Sequence, residues 1–397
     1  MNFHKLSRMA KVSIASLAMA LGLSSCTLDY VVGYVYLTAT NDTATAKGNG
    51  AINQYSIDFQ SGALTTIGAA IPTGIDPVKL VAAPNGKFVY VINNGSNNVM
   101  EFAVQIDGTL ALKNTYPTGN SPTAVAIDPQ GAYLYVTFHY QSGTSGPGGI
   151  TIFPVNSDNS LGTSSFQPIG NNPVGIVVSY FNHFVYVLDQ ETEPNAKILG
   201  FSQSASTGAL TPVPGTTITA LGASTTGYAA GVIPSAIAEE LTARFVYVTD
   251  QAANQLIGYT VQSNGSLVPM VNGPFSTGLF PVAVTNDPTG KLLYVANYNA
   301  NTIEGYAIDT FTGTPSGAVG SFGTAVGTGP TCITIEPALG VFLYVSNNLD
   351  STVTAERLTP NTGSLAGVQN SPFAASGQPA CLTSVPNGAH ASQVITP

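Results

Sequence analysis

The side chains best suited to chemistry are one histidine and a few carboxylates in polar stretches. His139 is followed by Asp189, Glu191, Glu193 and Asp250. An imidazole and two carboxylates facing one cleft could act as general acid and base, or hold a metal ion. The same residues also fit a solvated loop histidine with ordinary surface acids. The catalytic candidates are His139, Asp189 and Glu191. A second set recurs by position: Asn93, Asp189, Asp250, Asn297 and Asn347 each follow a Tyr-Val-x triplet, and Phe138 and Ala39 break the series. Repeated oxygens of this kind could ring a ligand or a cation. They could equally end a strand and brace its turn through side-chain-to-backbone bonds, and their recurrence favours bracing. The chain has no Asp-x-Asp-x-Asp-Gly calcium loop, no Gly-x-Ser-x-Gly elbow and no His-Glu-x-x-His pair, so neither a cofactor nor a metal is expected.

The elements that must position these residues form a repeat. A proline-led apolar strand (a), a tight turn and a Tyr-Val strand (b) recur from Pro77, Pro122, Pro173, Pro234, Pro281 and Pro330. Strand c alternates in polarity, as in Asn98–Val104 and Gln255–Val261, and strand d follows a Gly-x-Leu turn such as Gly108-Thr109-Leu110 or Gly265-Ser266-Leu267. Glycine supplies the positive φ that such turns need. Strand b occurs at Tyr36, Tyr90, Tyr135, Tyr186, Tyr247, Tyr294 and Tyr344, while strand a has its own seventh copy at Pro379. The two series are offset, because the chain opens on a b strand and closes on an a strand. An all-β, seven-bladed propeller of four-stranded blades resolves the offset, with Pro379–Val385 serving as the inner strand of the blade whose outer strands lie in 31–67. Closing the ring this way hides both sheet edges. The stretch Thr211–Ile233 is long enough to be an insertion over one face or mere decoration.

In that architecture the b–c and d–a loops share one face. It is rich in amide, hydroxyl and glycine, with Phe138, His139, Tyr140 and Tyr298 available to stack on a ligand. Only 8% of the 397 residues are charged. Basic Lys5, Arg8 and Lys11, then apolar Val12 to Leu23, read as a targeting segment too short to span a bilayer. It ends Leu23-Ser24-Ser25-Cys26, which resembles a bacterial lipobox. The expected organisation is a signal peptide over 1–25, a linker over 26–30, the propeller over 31–388 and a tail over 389–397. Cys26 would carry a lipid, making the membrane a partner and the cell envelope, with Thr27 favouring the outer membrane, the location. The remaining chain has eight basic and twenty acidic side chains, a net charge of −12, which argues against nucleic acid. A monomer is expected. Cys332 and Cys381 hold equivalent positions in PTCITI and PACLTS; two separately buried thiols are expected, since neighbouring inner strands can lie too far apart to bond.

The Tyr-Val-x-Asn/Asp units resemble YVTN repeats, and the chain after residue 30 resembles the lactonase (6-phosphogluconolactonase-like) family of seven-bladed propellers. The resemblance implies the propeller fold and ring-opening of a sugar lactone. It also implies a Gly-Pro-Arg-His stretch on an inner strand and a glutamate near the end of the next. Here Val174 and Gly175 stand at the Arg and His positions, Ser121-Pro122-Thr123-Ala124 replaces a second His-bearing strand, and Glu191 alone matches. The first expectation is therefore a module binding a glycan, peptide or protein on its polar face. The alternatives are a hydrolase of a neutral sugar lactone with altered catalytic residues, and a structural envelope protein.

Overall fold

The computed structural model describes residues 30–141, 143–144, 146–190, 196–218, 226–318 and 323–388, apart from 41–49. The described residues from Val31 onward belong to one compact unit. Every regular element among the described residues is a strand. Seven antiparallel sheets succeed one another along the chain, each with its strands in the order a-b-c-d from the channel outward. Blade 1 holds Pro77–Ala82, Phe88–Asn93, Asn98–Val104 and Leu110–Pro117. Blades 2 to 6 repeat the plan from inner strands Asn120–Ile127, Pro173–Val178, Pro234–Glu239, Pro281–Asn286 and Pro330–Ile335.

Blade 7 is made from both ends of the chain. Its inner strand Gln378–Pro386 pairs with Val31–Thr40, Tyr36 opposite Thr383, and Ala51–Asp58 and Leu64–Thr66 lie outside. The offset between the two repeat series is thus absorbed as the sequence requires. The blades depart from the four-strand plan at the rim. In five of them the outermost strand is split into two short pieces that both pair with strand c, such as Leu267–Pro269 and Phe275–Ser276. In blades 3 and 4 the first piece ends on Pro212 or Pro269, and proline has no N–H to continue a ladder.

The repeated tyrosine explains why the blades keep their spacing. Each strand-b tyrosine is fully buried and donates its hydroxyl hydrogen to a carbonyl in the c–d turn of the next blade. Tyr36 reaches Gly108 O at 2.7 Å, Tyr90 Asn159 O at 2.7 Å, Tyr135 Gly208 O at 2.9 Å and Tyr186 Gly265 O at 2.9 Å. Tyr247 reaches Gly313 O at 2.6 Å, Tyr294 Gly363 O at 2.8 Å, and Tyr344 returns to Gly62 O at 2.9 Å in blade 7. Gly62, Gly108, Gly208, Gly265, Gly313 and Gly363 all have positive φ, so the glycine turn between strands c and d, Gly-x-Leu at each of these except Gly313-Thr314-Pro315, is also the turn the tyrosine grips.

Tyr247→Phe removes the hydroxyl and leaves the Gly313 carbonyl without its partner. Chemical denaturation should show a loss of about 1–3 kcal/mol with the fold retained. An unchanged midpoint would mean that this contact carries no stability.

Candidate functional site: a collar in the central channel

Each inner strand is hydrogen-bonded on one side only, so its other edge presents backbone N–H and C=O groups to the channel. The third residue of each proline-led strand sits at the same depth. Lys79 is opposite Ile92, Ala124 opposite Thr137, Gly175 opposite Leu188, Ala236 opposite Thr249, Ala283 opposite Ala296, Cys332 opposite Ser346 and Cys381 opposite Thr38. That rung lies just inside the loop face, where strand b ends. The first six of these residues, with Val174, Ser235 and Val282 among their neighbours, enclose a cavity of about 170 Å³.

Among the described residues, Lys79 is the only ionisable side chain lining this cavity. It keeps partial contact with the channel but is surrounded by protein, and this burial lowers its pKa from the ordinary lysine value. No carboxylate of the described residues is paired with its ammonium. Its Nζ lies 3.9 Å from Cys381 Sγ. That sulfur is bonded to Cys332 at 2.02 Å, with 5.0 Å between the Cα atoms. The expectation of two separate thiols is therefore corrected. At the third position the inner strands converge on the channel axis, which brings neighbouring Cα atoms within disulfide reach.

The sequence-derived candidates lie elsewhere. Asn93, Asp189, Asp250, Asn297 and Asn347 are at most 1% exposed, so they line no open surface. Asn93 Oδ1 accepts from Gly74 N at 3.1 Å, and Asp189 Oδ1 from Asn172 N at 2.7 Å. Asp250 accepts from Val232 N at 2.8 Å and Ile233 N at 3.1 Å. Each thus clamps the loop leading into its own blade. Asn297 and Asn347 instead donate to Thr302 Oγ1 within their blades and to Thr352 Oγ1. A Cβ at Gly74, Gly170 or Gly231 would collide with the clamping side chain, so glycine three residues before the proline is part of the same device.

His139 lies near the loop end of Tyr133–Tyr140, packed edge-on to Tyr140 with 6.0 Å between ring centroids. Burial lowers its pKa, and its Nε2 has no hydrogen-bond partner among the described residues. Glu191 and Glu193, like the residues 219–225 within the Thr211–Ile233 stretch and the tail 389–397, fall outside the described residues. Among the described residues no three His, Cys, Asp or Glu side chains are placed to hold a metal ion together. Lys79 is the functional group that sequence reasoning missed. Its signal was available in the third column of the inner strands, which reads Lys, Ala, Gly, Ala, Ala, Cys, Cys.

A model of the family "Lactonase, 7-bladed beta-propeller" matches residues 35–175 and 175–333. The chain belongs to that family. Solved structures share the fold at low identity. A Bacteroides uniformis protein, provisionally described as a 6-phosphogluconolactonase, is 18% identical, covers 90% of this chain and 100% of its own, and superposes with a TM-score of 0.72. The periplasmic gluconolactonase PpgL of Pseudomonas aeruginosa is 18% identical over 88% of this chain and 99% of its own, with a TM-score of 0.70. Hydrazine synthase of Kuenenia stuttgartiensis, 14% identical over 79% of this chain and 93% of its own, still reaches 0.58. No curated protein matches the sequence. These likenesses carry the fold; the reaction has to be argued from the collar.

At the other end of the inner strands, blade 4 buries a carboxyl that matters to stability. Glu239 is 8% exposed with Oε1 unpartnered, and burial raises its pKa to about 8. A carboxyl raised on folding is neutral in the native state, and its contribution is fully present below the unfolded value. That contribution is lost as pH rises through the folded value. Stability measured by urea denaturation should therefore fall between about pH 4.5 and 8, and Glu239→Gln should flatten that slope. An equally steep slope in the variant would assign the effect to other groups.

The disulfide closes a loop with a sequence separation of 49 and joins the last two blades. Reduction, or Cys332→Ser, should lower stability by about 2–4 kcal/mol. Equal melting of reduced and oxidised protein would show that the bond does not constrain the unfolded chain.

Proposed function

We propose that the protein hydrolyses the lactone of a small, unphosphorylated sugar in the collar cavity. The carrying observation is that this cavity, in a lactonase-family propeller, has one ionisable group, Lys79, and otherwise small or apolar walls. A phosphorylated lactone needs several cationic donors. Among the described residues, Arg244 and Lys291 stand at the a–b turns, remote from the collar, and Arg357 is near the far end of strand c. A neutral lactone needs no such cluster. Its hydroxyls can bond the free backbone edges of the inner strands.

The reaction needs one proton carrier. As water adds to the lactone carbonyl, the neutral Lys79 amine accepts its proton; the resulting ammonium returns a proton to the ring oxygen as the C–O bond breaks. Burial, by lowering the lysine pKa, raises the share of amine near neutral pH. The absence of an imidazole or carboxylate from the cavity wall supports the second reading, a binding module that retains its sugar intact. For the setting, we propose an envelope lipoprotein anchored through Cys26, on the strength of the lipobox-like sequence.

A panel of sugar lactones followed by pH-stat separates the two readings. Turnover of neutral lactones is expected, with their 6-phosphates no better as substrates and kcat falling at least about 100-fold in Lys79→Met. No turnover by the wild-type protein, or full turnover by the variant, would overturn this assignment.

A further inference from the structure

An ammonium enclosed by Ala, Gly, Val and a disulfide lacks what a buried charge ordinarily requires, a counter-ion. The only candidate within reach is Cys381 Sγ at 3.9 Å, and the bond to Cys332 prevents that sulfur from becoming a thiolate. No described carboxylate pairs with Lys79, and the other collar positions carry Ala124, Gly175, Ala236 and Ala283. A negative charge must therefore come from a ligand, or the amine stays neutral and the site empty of charge.

The remaining walls describe that ligand. About 170 Å³ accommodates a sugar-sized molecule and greatly exceeds the need of a halide. The inner strands offer backbone donors and acceptors along their free edges. Two of the side-chain hydroxyls at this level are already committed, Thr123 to Pro173 O at 2.6 Å and Ser235 to Pro281 O at 2.6 Å, so ligand hydroxyls would meet main chain. We propose that the collar is a receptor for one small polyhydroxy carboxylate, its carboxylate paired with Lys79 Nζ and its hydroxyls bonded to the inner-strand edges.

The ligand class rests on the lactone reading, because opening a sugar lactone yields a hydroxy acid; the receptor itself does not require turnover. In the reaction's last step, the new carboxylic acid gives its proton to Lys79, leaving carboxylate and ammonium face to face. The site would then hold its product and be inhibited by it.

Isothermal titration of the whole protein with sodium gluconate, sodium acetate, sodium chloride and sorbitol tests this. Gluconate should bind one to one, at least about tenfold more tightly than acetate, chloride or sorbitol. Lys79→Met should weaken gluconate at least about tenfold while melting no lower than wild type, since it removes a desolvated charge. Ala236→Leu, which keeps the lysine and fills the cavity wall, should also weaken it. Undiminished binding in both variants, or chloride binding as tightly as gluconate, overturns the proposal. Gluconate binding without lactone turnover upholds the receptor and removes the hydrolase reading. Turnover with no gluconate binding does the reverse.

Discussion

The structure depends on one hydrogen bond made seven times, from a buried tyrosine hydroxyl to a turn carbonyl of the following blade. Apolar packing holds adjacent sheets together, but packing alone is non-directional. The tyrosine bond sets how far one blade may slide or rotate on the next, because an unmet buried carbonyl costs more than the bond itself gains. Each hydroxyl also has its pKa raised by burial, so the contact persists as a neutral donor across the pH range in which the protein folds. With every blade indexed to its neighbour, the inner strands reach the axis at one depth, and a collar exists at all.

The collar's chemistry follows from that indexing. A proline starts most inner strands, a bulge follows it, and the third residue comes into register at each blade. Small residues at four of these positions leave room; a lysine and a bonded cysteine pair occupy the other three. The sulfur atoms narrow the wall beside Lys79 without offering it a charge. The site is thus a single lysine in a small chamber of mostly small and aliphatic side chains, with further polarity supplied by the inner-strand backbone.

Strand count, blade count and ring closure were legible because they rest on period, proline and turn chemistry, all local in sequence. The role of Asn93, Asp189 and Asp250 was half legible: their recurrence after Tyr-Val-x pointed to bracing, but the backbone N–H groups they hold, those of Gly74, Asn172 and Val232, lie 17 to 19 residues upstream in the preceding loop. Lys79 escaped notice because it resembles an outward lysine on an alternating strand, and only aligning the third residues of all inner strands shows its company. The disulfide was misjudged for the same reason. Sequence gives equivalence of position, whereas the distance between Cys332 and Cys381 depends on how tightly the inner strands converge.

Blade 7 has a consequence for the order of assembly. Its strands Val31–Thr40 and Ala51–Asp58 are synthesised before the strands of every other blade, but their inner partner, Gln378–Pro386, is synthesised after all of them. Until then the edge of Val31–Thr40 that will pair with it stays open, its backbone N–H and C=O groups without a strand partner on that side. The blade begun first is therefore the last to be completed, and a nascent protein stalled before residue 378 carries an adhesive strand edge.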